Sequence, residues 1–149
     1  MIALLQRVSE ATVHVNEKIV GRIEKGVLAL IGVQRDDLEK QADRLLQRIL
    51  SYRIFPDDSD RMNLDLRQAR GGLLLVPQFT LAADTNSGNR PSFTPAAPPA
   101  EGERLFNYLA QQASLEVDEF ATGIFAAHMK ISLVNDGPVT FWLQVPPAG

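Results

Sequence analysis

Thr80 is the best-placed candidate nucleophile, because it follows Gln78 and Phe79 at the end of the apolar run Leu73 to Val76. Polar groups at such a strand end can emerge from a rigid support toward a pocket. A threonine hydroxyl attacks only with help from an adjacent base, and none is apparent here. The ordinary reading of this residue is a β-branched strand position, which threonine favours anyway. A second segment, Asn135 to Pro138, interrupts the apolar stretches Leu133, Val134 and Val139, Phe141, Leu143, Val145. It predicts a turn between two strands, and a Gly137-Pro138 pair there aims backbone rather than side chains.

Other chemistries fail on residue type or spacing. The chain has no cysteine, which removes disulfides, thiolate nucleophiles and cysteine metal sites together. His14 and His128 are the only imidazoles and lie in no ligand spacing such as HExxH, so no metal and no cofactor are expected. His14 alternates with Val13 and Val15 and reads as an outward strand residue, while His128 adjoins Met129 near the second segment. Asp57, Asp58 and Asp60 lack the glycine and closing glutamate of an EF-hand loop and read as a solvated acidic turn. No GxSxG elbow, P-loop, SxxK or dinucleotide fingerprint is present. A net charge of −3 argues against gripping a long duplex, yet permits binding of a short single-stranded RNA end.

At 149 residues with 45% hydrophobic content, the chain has the size and apolar material for one core and one domain. No apolar run approaches the roughly 18 residues of a membrane span, and no leader pattern opens the chain, so a soluble cytoplasmic protein is expected. Val13 and Val15 alternate with polar residues, then Asn16 to Lys18 turn into Ile19 to Ile23, a hairpin. Val27 to Val33 is continuously apolar and fits a strand covered on both faces. Asp36, three residues before Glu39, predicts the N-cap of a helix carrying Leu38, Ala42, Leu45, Leu46, Ile49 and Leu50. Residues 82–100 lack periodicity and read as a functional loop or a disordered segment. Pro98 and Pro99 open a second helix with Leu105, Phe106, Leu109 and Ala113 on one face. Strands are expected near 116–120, 124–134 and 139–145, with a frayed tail over 146–149. The inventory is that of an α+β domain over 1–145, a strand-rich curved or barrel-like sheet packed by two helices.

PQFTLA at Pro77 to Ala82 and NDGPVTFW at Asn135 to Trp142 closely resemble the signature motifs of the D-aminoacyl-tRNA deacylases. The opening IALLQRVSEATVHV and the RPSF at Arg90 to Phe93 resemble that family too, so the likeness runs from Met1 to about Val145. The resemblance implies a homodimer that hydrolyses the ester between a D-amino acid and the 3′-terminal adenosine of tRNA. It implies a cis Gly137-Pro138 bond entering the partner subunit's pocket, an Arg7 that steadies that segment, and a Thr80 inside the active site. It also implies that the ribose 2′-hydroxyl orients or activates water, and in that hydrolysis the backbone amides of Phe79 and Thr80 would stabilise the oxyanion. Gln78 would hydrogen-bond substrate or hold its strand, and Phe79 and Met129 would wall the adenosine. One position departs: many relatives carry serine where this chain has Pro77, which has neither a hydroxyl nor a backbone N–H. Pro77 motivates one rival reading, an RNA-end-binding module without turnover; a small-molecule esterase is the other.

Overall fold

The computed structural model describes residues 1–149, and its organising element is the long strand β1 (Ile2–Val15). Along one edge, β1 pairs first with β3 (Gly26–Gly32) and then with β2 (Lys18–Ile23), both antiparallel. A two-residue turn joins β1 to β2, with Asn16 at φ 50° and Glu17 at φ 67°. Positive φ at both positions matches the right-handed twist of a hairpin. The other edge of β1 carries β8 (Lys130–Gln144), antiparallel over nearly its whole length.

From β3 the chain runs through α1 (Glu39–Ser51) and the small hairpin β4 (Phe55–Pro56) and β5 (Met62–Leu64) to β6 (Gly72–Pro77). A 3-10 turn (Phe79–Ala82), α2 (Pro99–Ser114) and β7 (Phe120–Thr122) follow. β3 pairs with β6 and β6 with β7 in parallel, each connection passing through a helix, as parallel neighbours require. The strand order is β2-β1-β3-β6-β7. The ends of that path meet: a side chain at Gly21 in β2 would lie 2.7 Å from the Thr122 carbonyl oxygen in β7. The result is one domain with a mixed, nearly closed, barrel-like sheet and two helices. No helix is long and apolar enough to cross a membrane.

The uninterrupted apolar runs of β3 and β6 have apolar partners on both faces. Val27, Ala29, Ile31, Leu73 and Leu75 pack toward the helices with Leu45, Ile49, Leu105 and Leu109. Leu28, Leu74 and Val76 point the other way, into a smaller cluster with Val8, Ala11, Val13 and Ile23 inside the curled sheet. Ala3 and Leu5 of β1 belong to the first cluster, whereas Val8, Ala11 and Val13 belong to the second. The alternation of β1 slips by one residue at the register break between Val8 and Glu10, so odd-numbered residues face the first cluster before it and the second cluster after it. Leu45, fully buried in α1, is a direct probe of the larger core. Leu45→Ala is expected to lower the unfolding free energy by about 2–5 kcal/mol in urea denaturation, through lost burial and a residual cavity.

Four expectations are corrected. Asp36 does not cap α1: it adopts φ 71°, Leu38 is the N-cap, and the Gln41 side chain accepts from the Leu38 amide at 2.9 Å. The neighbouring Asp37 is buried instead, accepting from the Met1 ammonium at 3.0 Å and the Gln34 amide at 2.7 Å. Burial pushes the Asp37 carboxyl above the ordinary carboxylate range. The region 124–134 is a strand only from Lys130, because the chain first bends around the pocket described below, and the strand expected at 116–120 begins only at Phe120, after the turn that closes α2 through Glu116 N to Ala113 O at 3.0 Å. Asn135 to Pro138 do not end one strand and start another. β8 is continuous, and Asp136 to Val139 leave the ladder as a bulge within it.

Candidate active site

β6 delivers the first motif. Its apolar residues bury the strand on both faces, and the Gln78 amide still donates to the Ile31 carbonyl of β3 at 2.7 Å. The chain then tightens into the 3-10 turn, closed by Leu81 N to Gln78 O at 3.2 Å and Ala83 N to Thr80 O at 3.1 Å. The first N–H groups of a helical turn lack an acceptor within it. Accordingly, the Phe79 and Thr80 amides stand at the open start of the turn, and no loop, cap or side-chain hydrogen bond engages either of them. The Gln78 side-chain amide donates to the Thr80 hydroxyl oxygen, so that oxygen is already engaged by a donor and faces no base.

Pro77 fits this geometry without loss to the sheet. Alternate residues of β6 address opposite neighbours: Leu73 and Leu75 bond the β7 side, Gln78 the β3 side. The nitrogen of residue 77 therefore faces the β7 side, where pairing has ended at Leu75 opposite Thr122. A proline there removes no ladder bond, which explains how a strand can end on this residue.

Beside the turn lies a pocket of about 500 Å³, whose lining includes Ile31, Val76, Phe79, Phe106, Phe125 and Met129. Gln78, Pro77 and His128 also face it. Met129 is fixed by its sulfur, which accepts from the Ile124 amide at 3.4 Å. Phe79 is 56% exposed at the mouth and packs against Phe93, with ring centroids 5.1 Å apart. The Arg90 to Phe93 loop thus borders the mouth through Phe93. Phe125 and Phe106 were not singled out from the sequence. Phe106 looked like a helix core residue, and Phe125 sat inside an expected strand, so only the observed bend over 123–129 reveals them as pocket walls.

The second motif forms a separate assembly. Val8 pairs with Asn135 and Gln6 with Thr140, so four residues, Asp136 to Val139, stand opposite the single residue Arg7. Arg7 occupies the gap: its Nε donates to the Asp136 carbonyl at 2.9 Å and its Nη1 to the Ile54 carbonyl at 2.7 Å. Gly137 and Pro138 are exposed at the apex, and the bond between them is cis. Gln78, Phe79 and Met129 therefore share one pocket with Thr80 beside it, whereas Arg7, Gly137 and Pro138 do not line that pocket in the same chain.

Comparison with known proteins gives the family of the chain. Residues 4–144 match the family described as D-Tyr-tRNA(Tyr) deacylase. The chain belongs to that family. A D-aminoacyl-tRNA deacylase of Thioalkalivibrio sulfidiphilus is 65% identical over 147 residues, covering 99% of each chain. One from Nitrosococcus oceani is 57% identical, covering 99% of this chain and 96% of that protein. Among solved structures, the c-Myc DNA Unwinding Element Binding Protein superposes with a TM-score of 0.94 at 32% identity, covering 98% of this chain and 99% of that one. A probable eukaryotic D-amino acid tRNA deacylase shares the fold at a TM-score of 0.84 and 17% identity, covering 97% and 98%. The deacylase family is one of enzymes acting on an ester bond, and both assemblies described above fall within the matched span.

Proposed function

We propose that this chain hydrolyses the ester between a D-amino acid and the 3′-terminal adenosine of tRNA, as a translation quality-control step in the cytoplasm. The observation that carries the reading is the pair of amides at the open start of the 3-10 turn, Phe79 and Thr80, beside an apolar pocket that Phe79 lines. Water attacks the ester carbonyl carbon, the carbonyl oxygen becomes an oxyanion, and the two amides hold it. Collapse breaks the bond to the ribose 3′-oxygen, which takes a proton, leaving free amino acid and intact tRNA. Each donor of this kind contributes about 3 kcal/mol in other hydrolases. The adenosine enters the pocket between Phe79 and Met129, Gln78 orients the substrate, and the ribose 2′-hydroxyl orients the water.

Chirality is decided by exclusion, since D and L substrates carry the same groups and attraction alone separates them weakly. The Gly137-Pro138 apex, held by Arg7, acts as a backbone wedge whose carbonyls fix the amino group and leave an L side chain no room. Because this apex does not line its own chain's pocket, the wedge comes from a second copy, and the active form is a homodimer. A wedge that reads only side-chain direction accepts many D-amino acids, and it cannot fully reject glycine.

The test is amino acid release from D-tyrosyl-tRNA, glycyl-tRNA and a free D-tyrosine ester, with sedimentation of the same sample. The expected order is D-tyrosyl-tRNA fastest, glycyl-tRNA slower but measurable, the free ester near background, and a dimer in solution. Equal turnover of the free ester would favour a small-molecule esterase, and tRNA binding without turnover a binding module. A monomer would remove the cross-subunit wedge.

Thr80→Ala separates the two roles of that residue. It keeps both amides and deletes the hydroxyl that accepts from Gln78, together with the γ-methyl. D-tyrosyl-tRNA hydrolysis is expected to stay within about tenfold of wild type, since a lost neutral hydrogen bond is worth about 1 kcal/mol. An acyl-enzyme trapped on Thr80 would contradict this and make the side chain a nucleophile.

A further inference from the structure

The bulge in β8 loses its ladder contacts where it leaves the sheet, so something else must fix its shape. Arg7 reaches only its first carbonyl, that of Asp136. The other end is closed by one side chain. Asn135 Oδ1 accepts from the Val139 amide at 2.7 Å, and Asn135 Nδ2 donates to the Thr140 hydroxyl at 2.9 Å and the Val139 carbonyl at 3.4 Å. Both residues it joins flank the place where the chain departs and returns, since Asn135 is opposite Val8 and Thr140 opposite Gln6.

We propose that Asn135 is a positioning residue for chiral selection: its carboxamide clamps the neck of the Asp136 to Val139 bulge and so sets where the Gly137-Pro138 apex stands. This rests on the deacylase reading, in which that apex excludes L substrates. A carboxamide suits the task because it offers an acceptor and two donors from one planar group. Alanine offers neither. Aspartate can still accept from the Val139 amide and from the Thr140 hydroxyl, but it sets an oxygen against the Val139 carbonyl. Serine is too short to span the neck.

The experiment compares wild type, Asn135→Ala, Asn135→Asp and Thr140→Val in two measurements: the ratio of D- to L-tyrosyl-tRNA hydrolysis rates, and hydrogen exchange of the Val139 amide. A displaced wedge misplaces the reacting ester, so Asn135→Ala is expected to lower the D/L ratio about tenfold or more. Its Val139 amide should exchange about tenfold faster, with an unchanged melting temperature. Asn135→Asp should protect the Val139 amide and recover part of the ratio, and Thr140→Val should lie nearer wild type. A wild-type D/L ratio in Asn135→Ala overturns the proposal, as does a fall in both rates together that tracks a loss of stability. If wild type shows no preference for D, the deacylase reading fails, and with it the selective role. Val139 exchange then reports separately on the clamp: unchanged exchange in Asn135→Ala would overturn that as well.

Discussion

Gly137→Ala should reduce D-tyrosyl-tRNA hydrolysis about a hundredfold while leaving the fold intact, because displacement of a reacting group by about 1 Å costs that much in rate. Gly137 has φ 148°, a backbone region that side-chain-bearing residues rarely adopt. A Cβ built there would stand 2.6 Å from Val139 Cγ2 and 2.9 Å from the Val139 nitrogen. Val139 is 8% exposed and belongs to the larger core, and its amide is held by Asn135, so it cannot step aside cheaply. The apex has to move instead, and backbone strain of about 1–3 kcal/mol at such a position is enough to drive that. Since Asp136 to Val139 lie outside the sheet ladder, the melting temperature should change little. Single-turnover rates and circular dichroism of the same sample check both halves. An alanine variant as fast and as selective as wild type would mean that the apex takes no part in the reaction.

Arg7→Ala is expected to lower the same rate between about tenfold and a hundredfold, since hydrogen bonds from a charged donor contribute about 1.5–3 kcal/mol each. The guanidinium bridges two carbonyls that belong to different elements, Asp136 in the bulge and Ile54 before β4. Without it, the single position on β1 facing the four-residue bulge is empty, and the Asp136 end of the apex is untethered. Arg7→Lys keeps the charge but not the fork, so it can reach one carbonyl and should fall between alanine and wild type. The D/L ratio discriminates a positioning effect from general damage: it should fall in Arg7→Ala. An unchanged ratio with an unchanged rate would assign Arg7 a surface role only.

How much of this was legible in the residues differs from element to element. The apolar runs Val27 to Val33 and Leu73 to Val76 could be read directly as doubly covered strands, because a buried parallel strand needs apolar side chains on both faces. The face of α1 was legible for the same reason, but its start was not. Asp36 and Glu39 imitate a cap, while the real constraint is the buried Asp37, engaged by the Met1 ammonium across a separation no local pattern can show. The second motif misled in an informative way. Asn, Asp, Gly and Pro in succession ordinarily end a strand. Here Arg7, far away in sequence, fills the gap left in the ladder, and Asn135 ties the two ends of the excursion, so β8 continues. Gln78, Phe79 and Met129 line one pocket, although Met129 belongs to neither motif. Phe125 was missed because the turn that bends the chain there, closed by Ala127 N to Ile124 O at 3.2 Å, carries its positive φ on Ala126, a residue type that announces no turn; a side chain at Gly102 of α2 would touch the Phe125 ring at 3.4 Å.

The account stands or falls on chirality. Release of tyrosine from D-tyrosyl-tRNA and L-tyrosyl-tRNA by the wild-type protein, measured side by side at equal enzyme and substrate, is its most direct test. A backbone wedge that leaves an L side chain no room predicts rapid loss of the D substrate and an L substrate that decays at its spontaneous rate. Comparable enzymatic rates on the two would contradict it, because a site that binds and hydrolyses both enantiomers has no wedge at the reacting centre.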